Sequence, residues 1–150
     1  MSTTPDETRG TKLEADLREL VAIPSITGTA DEVRIARHIH SKLRQWPYFQ
    51  RHPSRLQLIR HRPPDIPHPL EAVFALVKAG RPTRKTILLL GHFDVVGVHN
   101  YGALKDLAFD PPELARQLVS VQLPDEARKD LDSGDYLFGR GVMDMKLGLV

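Results

Sequence analysis

The chain has no cysteine among its 150 residues. Without thiols it can form neither a disulfide framework, nor a thiolate zinc site, nor a cysteine nucleophile. Long apolar runs are also absent, since no segment approaches the roughly 20 residues that a membrane-spanning helix requires. Residues 1–10 are polar and offer no apolar core for a secretion signal. We therefore expect a cytoplasmic protein with no membrane partner.

The chain also lacks a large excess of charge of either sign. Its formal net charge is +2 at pH 7, a surplus too small to favour nucleic acid as a partner. Two basic segments, residues 51–55 and 60–62, lack the interleaved aromatic side chains and the wide basic face typical of nucleic-acid binding. We interpret them as the solvated surface of a hairpin and expect no nucleic-acid partner.

Two amphipathic helices are predicted near the start of the chain. Apolar residues at helical spacing predict one helix from residue 11 to about residue 22, behind a disordered arm at residues 1–10. The same spacing predicts a longer helix from residue 29 to about Trp46, where Pro47 ends it. Each helix would begin with a capping box, in which a hydroxyl and a carboxylate satisfy free backbone N–H groups. The two predicted boxes are Thr11 with Glu14 and Thr29 with Glu32.

Three strands are predicted next, and the third is expected to lie at the centre of the sheet. Strands at residues 56–60 and 72–78 precede one at residues 86–90, which ends in four consecutive apolar residues without polar alternation. This pattern is typical of a strand buried on both faces of an α/β sheet. Helices at residues 111–119 and 124–131, a short strand at 136–138 and a helix near Met143 complete a predicted mixed-sheet α/β fold.

His92 and Asp94 follow the third strand directly after Gly91. Alternate residues of an extended chain point to the same side, so an imidazole and a carboxylate emerge together at the carboxyl end of this strand. Open α/β sheets bind their ligands at that edge. The imidazole could bind a metal while the carboxylate fixes its tautomer, or the histidine could be purely structural. We interpret the remaining histidines as structural or surface residues: His38, His40, His52, His61, His68 and His99.

A second polar motif, Gly139-Arg-Gly-Val-Met-Asp-Met-Lys146, lies where a predicted strand gives way to a helix. Its aspartate, Asp144, could be a metal ligand or an acidic residue that the dipole of a helix N-terminus favours. The glycines also suggest a dinucleotide-binding loop, but Asp144 occupies the third glycine position, where a carboxylate would repel a pyrophosphate. Lys146 could pair with a carboxylate of the site or be a solvated surface lysine.

The two motifs occur together and in a defined order. Residues 91–96 and 139–148 follow the patterns G-H-x-D-V-V and G-R-G-x-x-D-M-K-x-G. This pair resembles the co-catalytic zinc peptidase family, which includes aminoacylases, acetylornithine deacetylase, succinyl-diaminopimelate desuccinylase and glutamate carboxypeptidases. The resemblance extends to residues 20–25 and covers nearly the whole chain from Leu13. It implies a phosphorylase/hydrolase-like α/β catalytic domain, of which residues 11–150 would be the N-terminal portion only.

The resemblance also implies a role for each residue of the site. His92 would ligate one zinc ion, and Asp94, the catalytic residue implied in this segment, would orient its imidazole. Asp144 would bridge two zinc ions, and the peptide bond that follows it is often cis in relatives. Such a metal pair polarises a scissile carbonyl and activates a water molecule. The implied cofactor is zinc, with cobalt or manganese as alternatives.

Residues 97–102 and 107–111, with the two predicted helices that follow, resemble the arginine-utilisation branch of this family, although Gly97 stands where most relatives have proline. The resemblance therefore implies a metal-dependent hydrolase that cleaves amide or peptide bonds of small amino-acid-derived substrates, with a role in arginine catabolism. The implied partners are a small-molecule or peptide substrate and a second copy bound through an inserted dimerisation domain that these residues do not include.

The ligand set implied by the family is incomplete here. Relatives carry a glutamate pair with the general base, a further carboxylate and a further histidine downstream, and no Glu-Glu pair occurs in this chain. The chain also stops within the apolar residues 147–150 without a C-cap. We therefore expect a fragment of a longer protein that is inactive alone and binds zinc weakly. The alternatives are a non-catalytic relative that acts as a binding or regulatory protein, and a nucleotide-binding protein.

Overall fold

A computed structural model describes residues 5–150, with side chains from Arg9 onward. The fold is mixed α/β, as the sequence predicts. The helices are α1 (Pro5–Val21), α2 (Asp31–Arg44), α3 (Pro47–Arg51), α4 (Pro111–Leu118) and α5 (Asp125–Ser133), and the strands are β1 (Leu56–His61) and β2 (Leu70–Ala75). Short 3-10 segments lie at Pro53–Arg55, His99–Leu107 and Lys146–Leu149.

The first helix is longer than the sequence predicts. It begins at Pro5, so residues 5–10 of the expected disordered arm are helical, and residues 1–4 lie outside the described residues. Proline suits the first helical turn, because its fixed φ angle matches the helix and its missing N–H would have no partner there. Leu17, Leu20 and Val21 are buried on one face of α1, which confirms the helical spacing.

Neither predicted capping box forms. Thr11 lies within α1, and α2 begins after Ala30, which makes no side-chain capping bond. The Thr29 hydroxyl instead donates to the carbonyl of Ile26 at 2.7 Å. The Glu32 carboxylate accepts the N–H of Gly28 at 2.7 Å. These two short-range bonds between side chains and backbone stabilise the turn before α2 instead.

The strands β1 and β2 form an antiparallel pair that packs against α2. Glu71 of β2 is buried beneath this helix, and its carboxylate accepts two hydrogen bonds from Arg37 at 2.8 and 2.9 Å. Arg60 of β1 approaches the same carboxylate at 3.7 Å. The hydrogen bonds and the positive charge of Arg37 lower the pKa of Glu71. A paired carboxylate therefore joins α2 to the sheet.

The buried third strand predicted at residues 86–90 does not form. No strand of the described residues 5–150 pairs with it, and its apolar side chains are 71–87% exposed on both faces. A strand buried on both faces needs strands beside it and helices above and below. Here β1 and β2 pair only with each other, so the prediction is wrong for this chain. After this run, the next backbone pairing of the strand type is at Val95, which forms an isolated parallel bridge with Ile26.

The C-terminal third follows the predictions in part. Both helices predicted there are confirmed as α4 and α5. The strand predicted at residues 136–138 is absent, and the helix expected near Met143 is replaced by the 3-10 turn Lys146–Leu149. Within the described residues, no helix is long and apolar enough to cross a membrane.

The core joins α1 to the last part of the chain. One apolar cluster contains Leu17, Val21 and Val142, with Leu137 packed against it. A second cluster is centred on Leu20, Ile23 and Ile35, with Ile39, Phe93 and Leu149 packed against it. The C-terminal end of α1 therefore holds the segments that carry both sequence motifs.

Candidate metal centre

The structure brings His92 and Asp144 together. The imidazole Nε2 lies 3.1 Å from the Asp144 carboxylate Oδ1, although the two residues are 52 positions apart in the chain. The His92 side chain is half exposed, and that of Asp144 is 89% exposed. Both groups are therefore open to solvent and to a ligand.

Asp94 lies on the opposite side of the imidazole. The ring Nδ1 is 3.1 Å from the main-chain oxygen of Asp94 and 3.3 Å from its carboxylate. The hydrogen bond with the main-chain oxygen of Asp94, together with the charges of Asp94 and Asp144, raises the pKa of His92. Because both atoms that face Nδ1 are acceptors, a ring proton belongs on Nδ1. A proton on Nε2 would donate to the Asp144 carboxylate, and Nε2 would bind a metal in place of that proton.

Thr27 completes this arrangement, although its sequence position did not predict a role in the site. Its hydroxyl donates to the Asp94 carboxylate at 2.9 Å. The Thr27 N–H donates to the carbonyl of Val95 at 2.9 Å, and the Val95 N–H donates to the carbonyl of Ser25 at 2.8 Å. The buried Ser25 hydroxyl also donates to the carbonyl of Phe93. The family resemblance in this part of the chain reaches only residue 25, so it gave no signal for Thr27.

The glycine-rich motif approaches this turn through Gly141. Gly141 has a φ angle of 78°, and a Cβ atom there would lie 2.5 Å from Cγ1 of the buried Val95. Only glycine combines this backbone conformation with such a close approach. The Asp144–Met145 peptide bond is cis, as the family resemblance implies. The loop from Gly139 to Asp144 thus presents its carboxylate to the imidazole of His92.

Lys146 is fully buried, so its interpretation as a solvated surface lysine is wrong. Its Nζ donates to the carbonyls of Leu20 and Ile23, at 2.9 and 2.8 Å. The ring of Phe109 lies 5.8 Å from the same atom. Burial lowers the pKa of Lys146 to about 8. Within the described residues the ammonium group is held by backbone carbonyls rather than by a carboxylate of the site.

A cleft of about 420 Å³ lies in front of these groups. Its walls come from both motifs and include Thr27, residues 92 and 94–96, Tyr101 and residues 137–144. Arg140 donates from Nη2 to Asn100, and its guanidinium lies 5.0 Å from the centre of the Tyr101 ring. None of the six other histidines lines this cleft. His92 is therefore the histidine that a ligand in the cleft would meet.

The donor atoms of this cleft fit part of a zinc site. An imidazole nitrogen and a carboxylate oxygen are ligands that zinc accepts in proteins, but a structural or catalytic site needs three or four. Among residues 5–150, no group of three or more histidine, cysteine, aspartate or glutamate residues could hold a metal ion. His92 and Asp144 therefore offer an incomplete ligand set, and their role as metal ligands stays a prediction.

The dinucleotide-binding alternative finds little support in the geometry. A dinucleotide loop needs a helix that starts at its third glycine, because the helix N-terminus holds the pyrophosphate. Here the glycine loop leads into the four-residue 3-10 turn Lys146–Leu149. Asp144, at the third glycine position, faces the cleft beside His92. The loop therefore presents a negative charge where a phosphate would have to bind.

Comparisons with known proteins find two longer relatives. The chain is 42% identical over 144 residues to the uncharacterized protein YqjN of Bacillus subtilis strain 168, a match that covers 92% of this chain and 24% of that protein. It is 34% identical over 140 residues to the protein RocB of the same strain, again covering 92% of this chain and 24% of that protein. The chain thus spans about a quarter of the length of these curated relatives. No family model matches the chain, and no solved structure gives a significant match.

Proposed function

We propose that this chain provides two metal ligands of a dinuclear zinc amidohydrolase that acts on amide or peptide bonds of small amino-acid-derived substrates. The observation that carries the proposal is the 3.1 Å contact between His92 Nε2 and the Asp144 carboxylate, with Asp94 on the other ring nitrogen. Residues from separate parts of the chain form this constellation, and they are the residues that the paired sequence motifs single out. Cobalt or manganese could replace zinc at such ligands.

The chain's own residues would mainly orient the metal ligands. His92 would bind through Nε2, and Asp144 through its exposed carboxylate. Zinc, when bound, supplies a Lewis acid that polarises a carbonyl and lowers the pKa of a water molecule. Asp94 keeps the ring proton on Nδ1, and Thr27 holds Asp94 through its hydroxyl. This is the outer-shell arrangement that fixes the tautomer and direction of a metal-binding histidine.

The rest of the site would come from a protein of the relatives' length. The missing ligands and the general-base glutamate have no counterpart in the described residues, and this chain spans 24% of each relative. In such a protein we expect the active enzyme to be cytoplasmic, to dimerise through a separate domain and to need no nucleic acid. The resemblance of residues 97–102 and 107–111 to the arginine-utilisation branch supports a substrate from arginine catabolism.

Zinc titration by calorimetry tests the proposal on the 150-residue chain. We expect binding weaker than nanomolar and no turnover of N-acyl amino acids or dipeptides, because two ligands are too few. His92→Ala and Asp144→Asn should each abolish the residual binding. His61→Ala removes an exposed histidine outside the cleft and should leave it unchanged. Zinc binding that survives both site substitutions would contradict the site, and nanomolar binding or turnover would contradict the incomplete ligand set.

The second candidate is a non-catalytic binding or regulatory protein that keeps this fold. This candidate would lack the remaining ligands in a protein of the relatives' length, and not only among the described residues. Turnover by a protein of the relatives' length separates the two candidates, since only the enzyme hydrolyses amide bonds in the presence of zinc. For the nucleotide-binding alternative, the midpoint of thermal unfolding would rise with added nucleotide and not with zinc.

A further inference from the structure

Lys146 makes an unusual connection between the end of α1 and the motif that carries Asp144. Its ammonium group is fully buried and donates to Leu20 O at 2.9 Å and to Ile23 O at 2.8 Å. Leu20 lies in the last turn of α1, where carbonyls have no partner within the helix, and Ile23 lies two residues beyond the end of the helix. A cation at this end also interacts favourably with the helix dipole. The lysine thus closes the C-terminal end of α1 from a distant part of the sequence.

The backbone around Lys146 is tied to the glycine loop. Its N–H donates to the carbonyl of Gly141 at 2.9 Å, and the N–H of Leu147 donates to the carbonyl of Val142 at 2.9 Å. These two bonds close a loop with Asp144 at its exposed tip. The side-chain methylenes of Lys146 also lie beside Gly141, since a Cβ atom there would be 3.4 Å from Cε. One residue therefore anchors both the base of the loop and its packing.

The ammonium group of Lys146 does not reach the cleft. Lys146 is not among the residues that line it, and two of its three N–H donors point to backbone carbonyls. A direct contact with a ligand is thus inconsistent with this geometry. Its influence on the site can pass only through the loop that it anchors.

We infer that Lys146 is a positioning residue. Its bonds to the end of α1 hold the Asp144 carboxylate close enough to His92 for both side chains to bind at the same metal site. The inference rests on the proposed function, because it concerns the same ligand pair. Outer-shell partners of metal ligands typically contribute about 10- to 100-fold to metal affinity. Loss of both donor bonds at Lys146 should therefore weaken metal binding by about 10-fold or more.

Lys146→Met in the full chain tests this inference, because methionine keeps much of the apolar stem and removes the donors. The matched control is Lys42→Met, which removes a lysine that also contacts α1, through Asp16 and Glu19 at 2.5 Å each, but lies outside the cleft. Cobalt(II) alone is the probe, followed by its visible absorption. We expect about 10-fold weaker cobalt affinity for Lys146→Met, and unchanged affinity for Lys42→Met.

A metal-free measurement accompanies the titration. In the wild type and the control, proton NMR should show a nuclear Overhauser effect between the His92 ring and the Asp144 β-protons. We expect its loss in Lys146→Met, while the helical circular dichroism is retained. Lys146→Gln, a milder change that keeps an amide donor, should give an intermediate result and serves if the methionine variant does not fold. An unchanged Overhauser effect and cobalt affinity within twofold of the wild type would overturn the inference.

The failure of this inference is distinguishable from failure of the proposed function. If cobalt leaves the His92 and Asp144 signals of the wild type unchanged, the proposed metal site is refuted. The metal-free Overhauser effect then decides the positioning role by itself. If the wild type binds cobalt and Lys146→Met binds it equally well, the site stands and the positioning role falls.

Discussion

Gly141 gives the sharpest prediction about how the site is built. Replacement by alanine meets two obstacles: the φ angle of 78° and a Cβ position 2.5 Å from Cγ1 of Val95. The left-handed conformation costs a residue with a Cβ atom about 1–2 kcal/mol. Val95 is 3% exposed and cannot move into solvent, and overpacking of a core contact costs about 1–3 kcal/mol more. We therefore expect Gly141→Ala to lower the free energy of unfolding by about 2–5 kcal/mol.

Gly134→Ala is the matched control for this change. Gly134 has a similar φ angle of 73°, but a Cβ atom there would meet nothing within 4 Å. Its cost should be the conformational part alone, about 1–2 kcal/mol. Urea unfolding of both variants, followed by circular dichroism, isolates the contact with Val95 as the difference between them. Equal losses of stability would refute the argument that this close approach fixes the loop beside His92.

Three further predictions concern charge and exposed surface. The pKa of Glu71 is lowered in the folded state. Its contribution to stability is therefore present above the unfolded pKa and is lost as pH falls through the folded pKa. Glu71→Gln should flatten the dependence of urea midpoints on pH below about 4.5. The pKa of His92 is raised by its carboxylate neighbours, so its stabilisation is complete below the unfolded pKa of about 6.5 and disappears as pH rises through the folded value. An NMR titration of Asp144→Asn should therefore show a lower pKa of His92 than in the wild type, and an unchanged value would contradict the contact. Leu89 is 87% exposed within an apolar run, so Leu89→Lys should reduce binding of an anilinonaphthalene dye without lowering the thermal midpoint; a fall of several degrees would contradict the exposure.

The elements predicted correctly are those whose local sequence decides the outcome. Leu17, Leu20 and Val21 recur at helical spacing and are buried on one face of α1. Prolines at the ends of these segments set helix boundaries, because proline fixes φ and restricts the residue before it. The pattern of residues 87–90 also encodes a buried strand, but burial depends on partners. In the described residues those partners are absent, and the same pattern gives an exposed apolar run.

The residues of the candidate site were likewise predicted only in part. The pairing of His92 with Asp144 followed from two motifs, because both occur together in a known family. Lys146 and Thr27 were missed or misinterpreted, because their partners lie far away in the sequence. The carbonyls that hold Lys146 are 126 and 123 positions distant. A charged residue is predicted to be exposed unless its partners are known, so no local pattern could have predicted the burial of Lys146.

The position of His92 does not depend on the exposed apolar run that precedes it in the sequence. Residues 87–90 are exposed and unpaired within the described chain, yet the ring of His92 has carboxylates on both sides. The segment after the residue fixes it, because Ser25 and Thr27 bond to residues 93–95 and Gly141 packs on Val95. The N–H of His92 also donates to Sδ of Met145 at 3.3 Å. Leu89→Lys should therefore leave the Overhauser effect between His92 and Asp144 unchanged. If a charge at Leu89 abolished that contact, the apolar run would be the element that positions the imidazole, and the turn at residues 24–28 would not be sufficient.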